Sequence, residues 1–322
     1  MKKSVWIAIA AVSAVLLVVA GILFLLPQLN QPTRVGICYR SGEDLSGTQY
    51  HQSLEAALKA KGYELIVEDA DNDQARQIEK IALLAERECD LLIVEPVMVT
   101  AAQELSAAIN GTGLPVVLIG RQPDQSLLDE CAQACYVGGE TVAVGTLQGQ
   151  MALALPQQGD INGDGVVSYI VIQGPEDHLD ALAATESCAA SLEADCQCHR
   201  LSLSCGDWTY ESGRQLCASQ LAAYGKDIEV IFCGSDEMAL GAIEAIADGG
   251  RTVGTDVYLF GAGGSQEALQ SIQAGTMSGT VSMNYEVQVQ KVMEAVNAML
   301  QQQSVQKQYI IQYTPVTAGE EE

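Results

Sequence analysis

Acidic and amide side chains alternate in the segment GDINGDGVVS. Asp160, Asn162 and Asp164 stand two residues apart, and Gly165 follows at the sixth position counted from Asp160. Oxygen ligands at every second residue, followed by a glycine, form the opening half of a calcium loop of the EF-hand type. Such a loop closes with a glutamate at its twelfth position, but that position here is Val171. The local pattern predicts half of a calcium site, with a plain turn as the alternative because Asn-Gly and Asp-Gly form turns by themselves.

Enzyme motifs are poorly represented in the sequence. It has no GxxxxGK[ST] phosphate loop and no G-x-S-x-G nucleophile elbow. The segment FGAGGSQ follows a predicted strand, but Gln266 stands where a dinucleotide fingerprint needs its third glycine. His178 and Asp180 form a candidate hydrolytic pair, although no motif supplies a nucleophile. We therefore predict that the protein is not an enzyme.

Ten cysteines leave two interpretations open. Outside the cytoplasm an even set can form disulfides, and the closest pairs in sequence are Cys131/Cys135 and Cys196/Cys198. Alternatively, most of the thiols are reduced and buried, since a free cysteine behaves as a small core residue. The cluster around Cys196 and Cys198 falls short of a zinc site.

The first 30 residues differ from the rest of the chain. Two lysines precede 22 uncharged and mostly apolar residues, from Val5 to Leu26. That length spans a bilayer, and the lysines favour the cytoplasmic side, which places the remaining chain outside the cytoplasm. We predict a membrane anchor, with a long cleavable signal peptide as the alternative. The net charge of −25 argues against a nucleic-acid partner.

From Arg34 onward, β-rich runs alternate with amphipathic stretches such as 74–88 and 236–249. The strand candidates are 34–39, 63–68, 90–95, 115–120, 167–172, 199–204, 228–233, 257–261, 279–283 and 308–313. Alternating strands and helices predict an α/β fold with parallel sheets covered on both faces. Ten strands exceed one ordinary open sheet, so we expect two doubly wound lobes, separated by a polar connection from 122 to 136. Ligands of such lobes bind at the carboxyl ends of the strands.

From about Thr33 to Ala318 the chain resembles type I periplasmic binding proteins, in particular the galactose/glucose-binding proteins of sugar ABC transporters. The segments that carry the resemblance are TRVGI (33–37), DADNDQARQ (69–77), LPVVLIGRQP (114–123), YVGGE (136–140), GDINGDGVVSYIVIQG (159–174), HLDALAAT (178–185), GDWT (206–209), IEVIFCGSDEMALGAIEAI (228–246) and AGTMSGTVS (274–282).

The resemblance implies two Rossmann-like lobes joined by a three-stranded hinge. The crossings would lie near 137–140, 281–284 and 309–313, and the helix 285–300 would return to the first lobe. The N-terminal lobe would then comprise 33–138 plus 283–308, and the C-terminal lobe 139–282 plus 309–318.

A distant strand would complete the calcium loop, if the resemblance holds. The ligands implied are Asp160, Asn162, Asp164, the Val166 carbonyl, Ser168 and the carboxylate of Glu229. Oxygen-only ligation suits a hard cation. Ser168 departs from the longer amide side chain of the family. The ion would stabilise the C-terminal lobe without touching the ligand.

For the sugar site, the resemblance implies His178 and Asp180 as polar ligands and Trp208 as the stacking aromatic. Ser235 and Asp236 follow a strand at the same edge. Asp44 or Tyr50 would serve from the other lobe. An ordinary loop histidine and a rim tryptophan are the alternative interpretations.

Several hexose contacts of the family are replaced in this sequence. The replacements are Gly120, Ala184, Ser235, Gly263 and Met283. High affinity for galactose or glucose is therefore not expected, because each lost polar contact costs about 1–3 kcal/mol. The resemblance implies an extracytoplasmic, monomeric substrate-binding protein of an ABC importer, with an ABC permease as partner. The alternative is a membrane-anchored sensory or scaffold protein with altered or lost ligand binding.

Overall fold

A computed structural model describes residues 32–41, 45–176 and 178–318. The predicted N-terminal anchor, residues 1–30, lies outside these ranges, as does Asp44. Within the described residues no helix combines the length and the apolar character needed to cross a membrane.

The described part of the chain contains twelve strands, ten α-helices and two short 3₁₀ helices, Pro156–Gly159 and Gly225–Asp227. The strands are β1 (Arg34–Tyr39), β2 (Glu64–Asp69), β3 (Leu91–Val94), β4 (Val116–Ile119), β5 (Ala134–Gly138), β6 (Val167–Gln173), β7 (Cys198–Cys205), β8 (Val230–Cys233), β9 (Tyr258–Gly263), β10 (Gly279–Ser282), β11 (Gln308–Ile310) and β12 (Thr314–Thr317). The helices are α1 (Leu45–Ala60), α2 (Gln74–Glu86), α3 (Ala102–Thr112), α4 (Gln125–Glu130), α5 (Thr141–Leu153), α6 (Leu179–Asp195), α7 (Tyr210–Tyr224), α8 (Asp236–Asp248), α9 (Gln266–Gln273) and α10 (Tyr285–Leu300).

The strands form two six-stranded sheets, one in each lobe. The N-terminal sheet has the order β11-β5-β4-β3-β1-β2, with parallel pairing throughout. The C-terminal sheet has the order β12-β10-β9-β8-β6-β7, and only β12 runs antiparallel to its neighbour. The α/β fold with two parallel-sheet lobes is therefore confirmed.

The segment 122–136 is more structured than predicted, because it contains α4 and most of β5. Asp124 caps α4 by accepting the Ser126 N–H at 2.8 Å. The run ACYVG of β5 is fully buried between β4 and β11. The sequence did not predict this strand, because the residues before it are mostly polar and its own start consists of small alanine and cysteine residues.

Apolar side chains fill both faces of each sheet. In the N-terminal lobe, Val94 and Leu118 pack against α2 to α4, whereas Ile93 and Ile119 pack against α1 and α10. In the C-terminal lobe, α7 to α9 cover one face of the sheet and α5 with α6 cover the other. Helices on both faces leave the ends of the strands as the open edges of each sheet.

Three chain crossings join the lobes, after β5, after β10 and between β11 and β12. Because β11 belongs to the N-terminal sheet, the third crossing lies at 311–313, within the predicted range 309–313. Asn284 adopts a left-handed conformation (φ 51°) in the second crossing. Its Nδ2 donates to the Gln312 carbonyl at 2.5 Å, which ties the second crossing to the third.

Candidate functional site

A cavity of about 230 Å³ lies between the two lobes at the carboxyl ends of the strands. Residues from both lobes and from all three crossings line it. This is the position at which open α/β sheets bind ligands, because side chains that follow neighbouring parallel strands converge there.

A largely buried ionic network of Glu95, Arg40 and His51 lines the wall of the N-terminal lobe. Glu95, which follows β3, accepts the backbone N–H of Arg40 at 3.2 Å and lies 3.3 Å from Nε2 of His51. The His51 ring stacks on Tyr39, with ring centroids 3.7 Å apart. Burial alone would raise the pKa of Glu95, but the His51 hydrogen bond and the Arg40 charge outweigh it and hold that pKa below its ordinary value.

Tyr50 of α1 adds an aromatic surface to the same wall. Its ring stacks on Tyr285, at the start of α10, with centroids 5.0 Å apart. The side chain is 4 % exposed, and its hydroxyl has no hydrogen-bond partner among the described residues. Burial raises the pKa of Tyr50 well above its ordinary value, so this hydroxyl stays protonated and can donate. Tyr50, predicted as a ligand residue, thus lines the cavity.

Trp208 forms part of the opposite wall, in the turn between β7 and α7. It adopts a left-handed conformation (φ 70°), which is rare for a bulky residue. The indole lies against Gly174 and Gly234, and a Cβ added at Gly174 would approach it to 1.9 Å. Two glycines therefore make room for the ring at the edge of the cavity.

His178 and Asp180 are brought together at the entrance by Arg121 of the other lobe. Nε of Arg121 lies 2.7 Å from Oδ2 of Asp180, and Nη2 donates to Nδ1 of His178 at 2.9 Å. A further hydrogen bond runs from Nη1 to the Val97 carbonyl. One guanidinium thus bridges the two lobes across the cleft.

Ser235 and Asp236 lie at the start of α8 and also line the cavity. Ser235 caps the helix by accepting the Met238 N–H at 3.2 Å. The Asp236 carboxylate accepts the hydroxyl of Thr280 at 2.5 Å and the backbone N–H of Ser265 at 2.7 Å. Burial raises the pKa of Asp236, although these hydrogen bonds partly offset the effect. Its oxygens are committed to the C-terminal lobe.

The lining residues that the sequence did not predict include Arg40, His51, Glu95 and Arg121. A sequence signal was available for three of them, because Arg40 and Arg121 each follow a predicted strand and Glu95 is the last residue of another. Of the residues that replace hexose contacts, Gly120, Ala184, Ser235 and Met283 line the cavity. Met283 accepts the Tyr285 hydroxyl at its sulfur (3.1 Å), so this side of the cavity is weakly polar.

The predicted calcium loop is closed by Glu229, which is 1 % exposed. Oε1 of Glu229 accepts the N–H groups of Ile161 and Asn162, at 2.8 and 2.9 Å, and Oε2 accepts that of Ser168, at 2.8 Å. Asp160, Asn162 and Asp164 accept N–H groups of the residues that follow them in the loop. Their oxygen chemistry suits a hard cation, but within the described ranges no three His, Cys, Asp or Glu side chains form a group able to hold a metal.

All ten cysteines carry free thiols. Seven are buried, and burial raises the pKa of Cys38 and Cys135 to about 12. The cysteines in the structure agree with the interpretation that most of the thiols are reduced and buried.

A family model for the periplasmic binding protein domain matches residues 37–304. The chain belongs to this family. The match covers both lobes and every crossing except the third. The curated relatives reported below are named as binding proteins.

Two curated relatives show the level of similarity. The chain is 27 % identical over 278 residues to the D-galactose/methyl-galactoside binding periplasmic protein of Haemophilus influenzae. The aligned region covers 84 % of this chain and 82 % of that protein. The chain is also 27 % identical over 258 residues to the ribose import binding protein of Bacillus subtilis, covering 80 % and 78 %. Among solved structures, the Caulobacter myo-inositol binding protein has the same fold, with a TM-score of 0.76 at 19 % identity over 90 % of this chain and 95 % of that one.

Proposed function

We propose that the protein is the extracytoplasmic substrate-binding component of an ABC importer and binds a small, neutral, carbohydrate-like ligand between its lobes. The observation that carries the proposal is the cavity at the hinge, with Trp208 on one wall and a buried polar network on the other. An aromatic face covers the apolar face of a sugar ring, and paired polar groups receive its hydroxyls. Similarity to sugar-binding members of the family supports it.

The charges of the cavity favour a neutral ligand. Both lining arginines already face carboxylates, Arg40 facing Glu95 and Arg121 facing Asp180. An anionic ligand would add a negative charge to walls whose cations are already neutralised, and burying it would be costly. Hydroxyl groups, in contrast, can donate to the carboxylates and accept from the guanidinium groups without adding charge.

Ligand binding is achieved by closure of the cleft. The lobes meet through Arg121, Asp180 and His178, so part of the contact area depends on side chains that also face the cavity. A ligand that contacts both walls favours the closed state by its differential affinity. No chemical step is required, and we propose that the protein is not an enzyme.

Calorimetric titration of the full chain tests this function. The panel comprises D-galactose, D-glucose, D-ribose, L-arabinose and myo-inositol, with D-galacturonate as the charged counterpart of D-galactose. We expect at least one neutral compound to bind at micromolar or lower concentration, and D-galacturonate to bind more weakly than D-galactose. Tight binding of D-galacturonate would contradict the assignment to neutral ligands.

A second candidate function is sensing or scaffolding with altered or lost ligand binding. The observation in its favour is the apolar character of Gly120, Ala184 and Met283 in the cavity. The same titration separates the two functions, because this alternative predicts no binding by any compound of the panel.

We also propose a structural calcium ion at the loop that begins at Asp160. Asp160, Asn162, Asp164, the Val166 carbonyl and Ser168 would hold it, with Glu229 closing the site. The proposed ligands include the three carboxylates of Asp160, Asp164 and Glu229, and a bound cation would neutralise their negative charge. The Glu229 carboxylate already accepts three N–H groups. Calcium would therefore bind a carboxylate lone pair of Glu229 that these hydrogen bonds do not use.

Thermal unfolding after chelation tests the calcium proposal. Addition of calcium should raise the melting temperature of the wild-type protein, and magnesium should do so less because it demands octahedral geometry. Asp164→Asn should reduce the shift, whereas Asp195→Asn, an exposed aspartate at the end of α6, should not. An unchanged melting temperature would leave the turn interpretation in place.

The localisation rests on the N-terminal segment. We propose that residues 1–30 hold the protein at the membrane, with the lobes outside the cytoplasm, and that a cleaved signal peptide is the alternative. Mass determination of the protein recovered from cells distinguishes an intact N-terminus from a processed one.

A further inference from the structure

The cavity at the hinge extends into the C-terminal lobe, beneath the paired helices α5 and α6. Six apolar residues line this extension: Val144, Val171, Ala181, Ala184, Phe232 and Ala262. They come from α5, α6 and three strands of the sheet, so the extension lies between the helix pair and the sheet. It is continuous with the part of the cavity that Trp208 and His178 line.

Two polar side chains beside the extension, Gln148 and Thr185, use their donors within the protein. Nε2 of Gln148 donates to the carbonyls of Cys233 and Gly261, at 2.9 and 3.0 Å. The hydroxyl of Thr185 donates to Oε1 of Gln173 at 3.0 Å. A ligand hydroxyl placed in the extension would therefore find apolar walls and donors that are already engaged.

Close packing fixes the helices that cover the extension. A Cβ added at Gly145 of α5 would approach the Ala184 carbonyl to 1.7 Å, so the two helices touch backbone to backbone. At Gly149, one turn later, the added atom would lie 2.7 Å from Cβ of Ser191. The two helices therefore cannot move closer together.

From this arrangement we infer that the ligand is a sugar or cyclitol that carries an apolar substituent of methyl size or larger, and that the substituent occupies the extension. The preference rests on the proposed sugar binding, because the polyol part must occupy the cavity beside Trp208. An apolar group gains from leaving water, whereas a hydroxyl in the same place loses its hydrogen bonds.

Matched pairs of ligands test the substituent preference by calorimetry on the full chain. The pairs are D-galactose with D-fucose, which has a methyl in place of the hydroxymethyl group; D-galactose with methyl β-D-galactopyranoside; and myo-inositol with its mono-O-methyl ether. In at least one pair, the apolar member should bind about fourfold tighter or more, the factor that corresponds to about 0.8 kcal/mol for one buried methylene.

Two variants locate the effect in the extension. Ala184→Leu fills it, and the affinity ratio of the pair should fall to one or below. Val144→Thr keeps the volume but places a hydroxyl in the wall, and should lower the ratio without blocking the space. Ala190→Leu is the matched control, since Ala190 lies exposed on the same helix and should leave the ratio unchanged. Melting temperatures show whether each variant is folded.

The outcomes separate this preference from the proposed function. If no compound binds, sugar binding is overturned and the substituent preference with it. If the parent compounds bind as tightly as every derivative, only the substituent preference is overturned. The same holds if Ala184→Leu and Val144→Thr, both folded, leave the ratio at its wild-type value.

Discussion

The loop from Asp160 to Ser168 and the cavity at the hinge are both organised by a buried glutamate, but the two glutamates differ in their partners. Glu229 accepts hydrogen bonds from three backbone N–H groups of its own lobe. Glu95 instead faces the side chains of Arg40 and His51. Backbone partners depend only on the path of the chain, whereas side-chain partners also depend on residue identity. We therefore expect changes at Glu229 to act on stability and changes in the cavity wall to act on ligand specificity.

The largest effect is expected from Glu229→Ala. Loss of the carboxylate leaves three backbone N–H groups without their acceptor and should lower the free energy of unfolding by about 2–4 kcal/mol. Chemical denaturation measures it. Glu193→Ala is the matched control, since Glu193 is exposed on α6 and should change stability little. Equal stability of the two variants would show that the amide contacts are not what closes the loop.

Trp208→Ala should have the next largest effect, and it should act on binding and not on the loop. Loss of the indole removes both the stacking surface and its apolar area, so sugar affinity should fall about 10- to 100-fold. Titration with the best ligand of the panel measures it. Tyr210→Ala, two residues further on and outside the cavity, should bind as wild type does. Equal affinities would place the ligand away from Trp208.

Gly174→Ala tests the same wall without removing the ring. The added Cβ would meet the indole at 1.9 Å, so Trp208 has to move and binding should weaken while the aromatic side chain is retained. The control is Gly111→Ala, because Gly111 has an ordinary φ and open space around the added Cβ. Gly111→Ala should therefore leave affinity unchanged.

The two glutamates also differ in how far the sequence could predict them. The loop and the strand alternation were predictable, because both follow from short patterns in which neighbours in sequence are neighbours in space. Glu229 was reached only through the family resemblance, since nothing local links it to Asp160. Arg121 was missed although it follows a predicted strand, because its role depends on Asp180 in the other lobe. Such pairs depend on the relative placement of two sheets, which no sequence period encodes.

β5 shows the same limit within the fold. Its sequence ACYVG lies at the end of a polar stretch and shows no alternating pattern that would mark a strand. Pairing with β4 and β11 nevertheless buries it completely. Tertiary context decided the conformation. The strand matters for the site, because the first crossing begins where it ends.

Titration of Glu95 offers a smaller effect with a definite sign. Its pKa is held below 4.5 in the folded protein by His51 and Arg40, in spite of burial. The ionised form therefore favours folding; this stability is present above pH 4.5 and is lost as the pH falls through the folded-state pKa. Glu95→Gln should lack this loss, so the stability difference between wild type and variant should shrink on acidification. Urea unfolding across pH 3–6 measures it, and a pH-independent difference would contradict the network.

Asp236 should titrate with the opposite sign. Burial raises its pKa above 3.8, so its ionisation disfavours the folded state, and its contribution to stability declines as the pH rises through the folded-state value. Asp236→Asn should remove that decline over the same pH range. The same pH series thus distinguishes Glu95 from Asp236, because the pKa of the first is lowered and that of the second is raised.

The smallest effect is expected from Arg121→Ala, which breaks the ion pair between the lobes. The pair is partly exposed, with side-chain exposures of 15 % and 27 %, so it is worth about 1 kcal/mol or less. That is enough to shift the balance between closed and open ligand-free protein by about fivefold. The radius of gyration from small-angle X-ray scattering should increase in the variant, and in the wild-type protein at high salt. Arg200→Ala, which breaks a surface pair within the C-terminal lobe, is the control. If both variants have the wild-type radius, closure does not depend on this guanidinium. If Arg121→Ala has a larger radius than wild type and Arg200→Ala does not, the cavity, unlike the loop from Asp160 to Ser168, is held by side chains that join the two lobes.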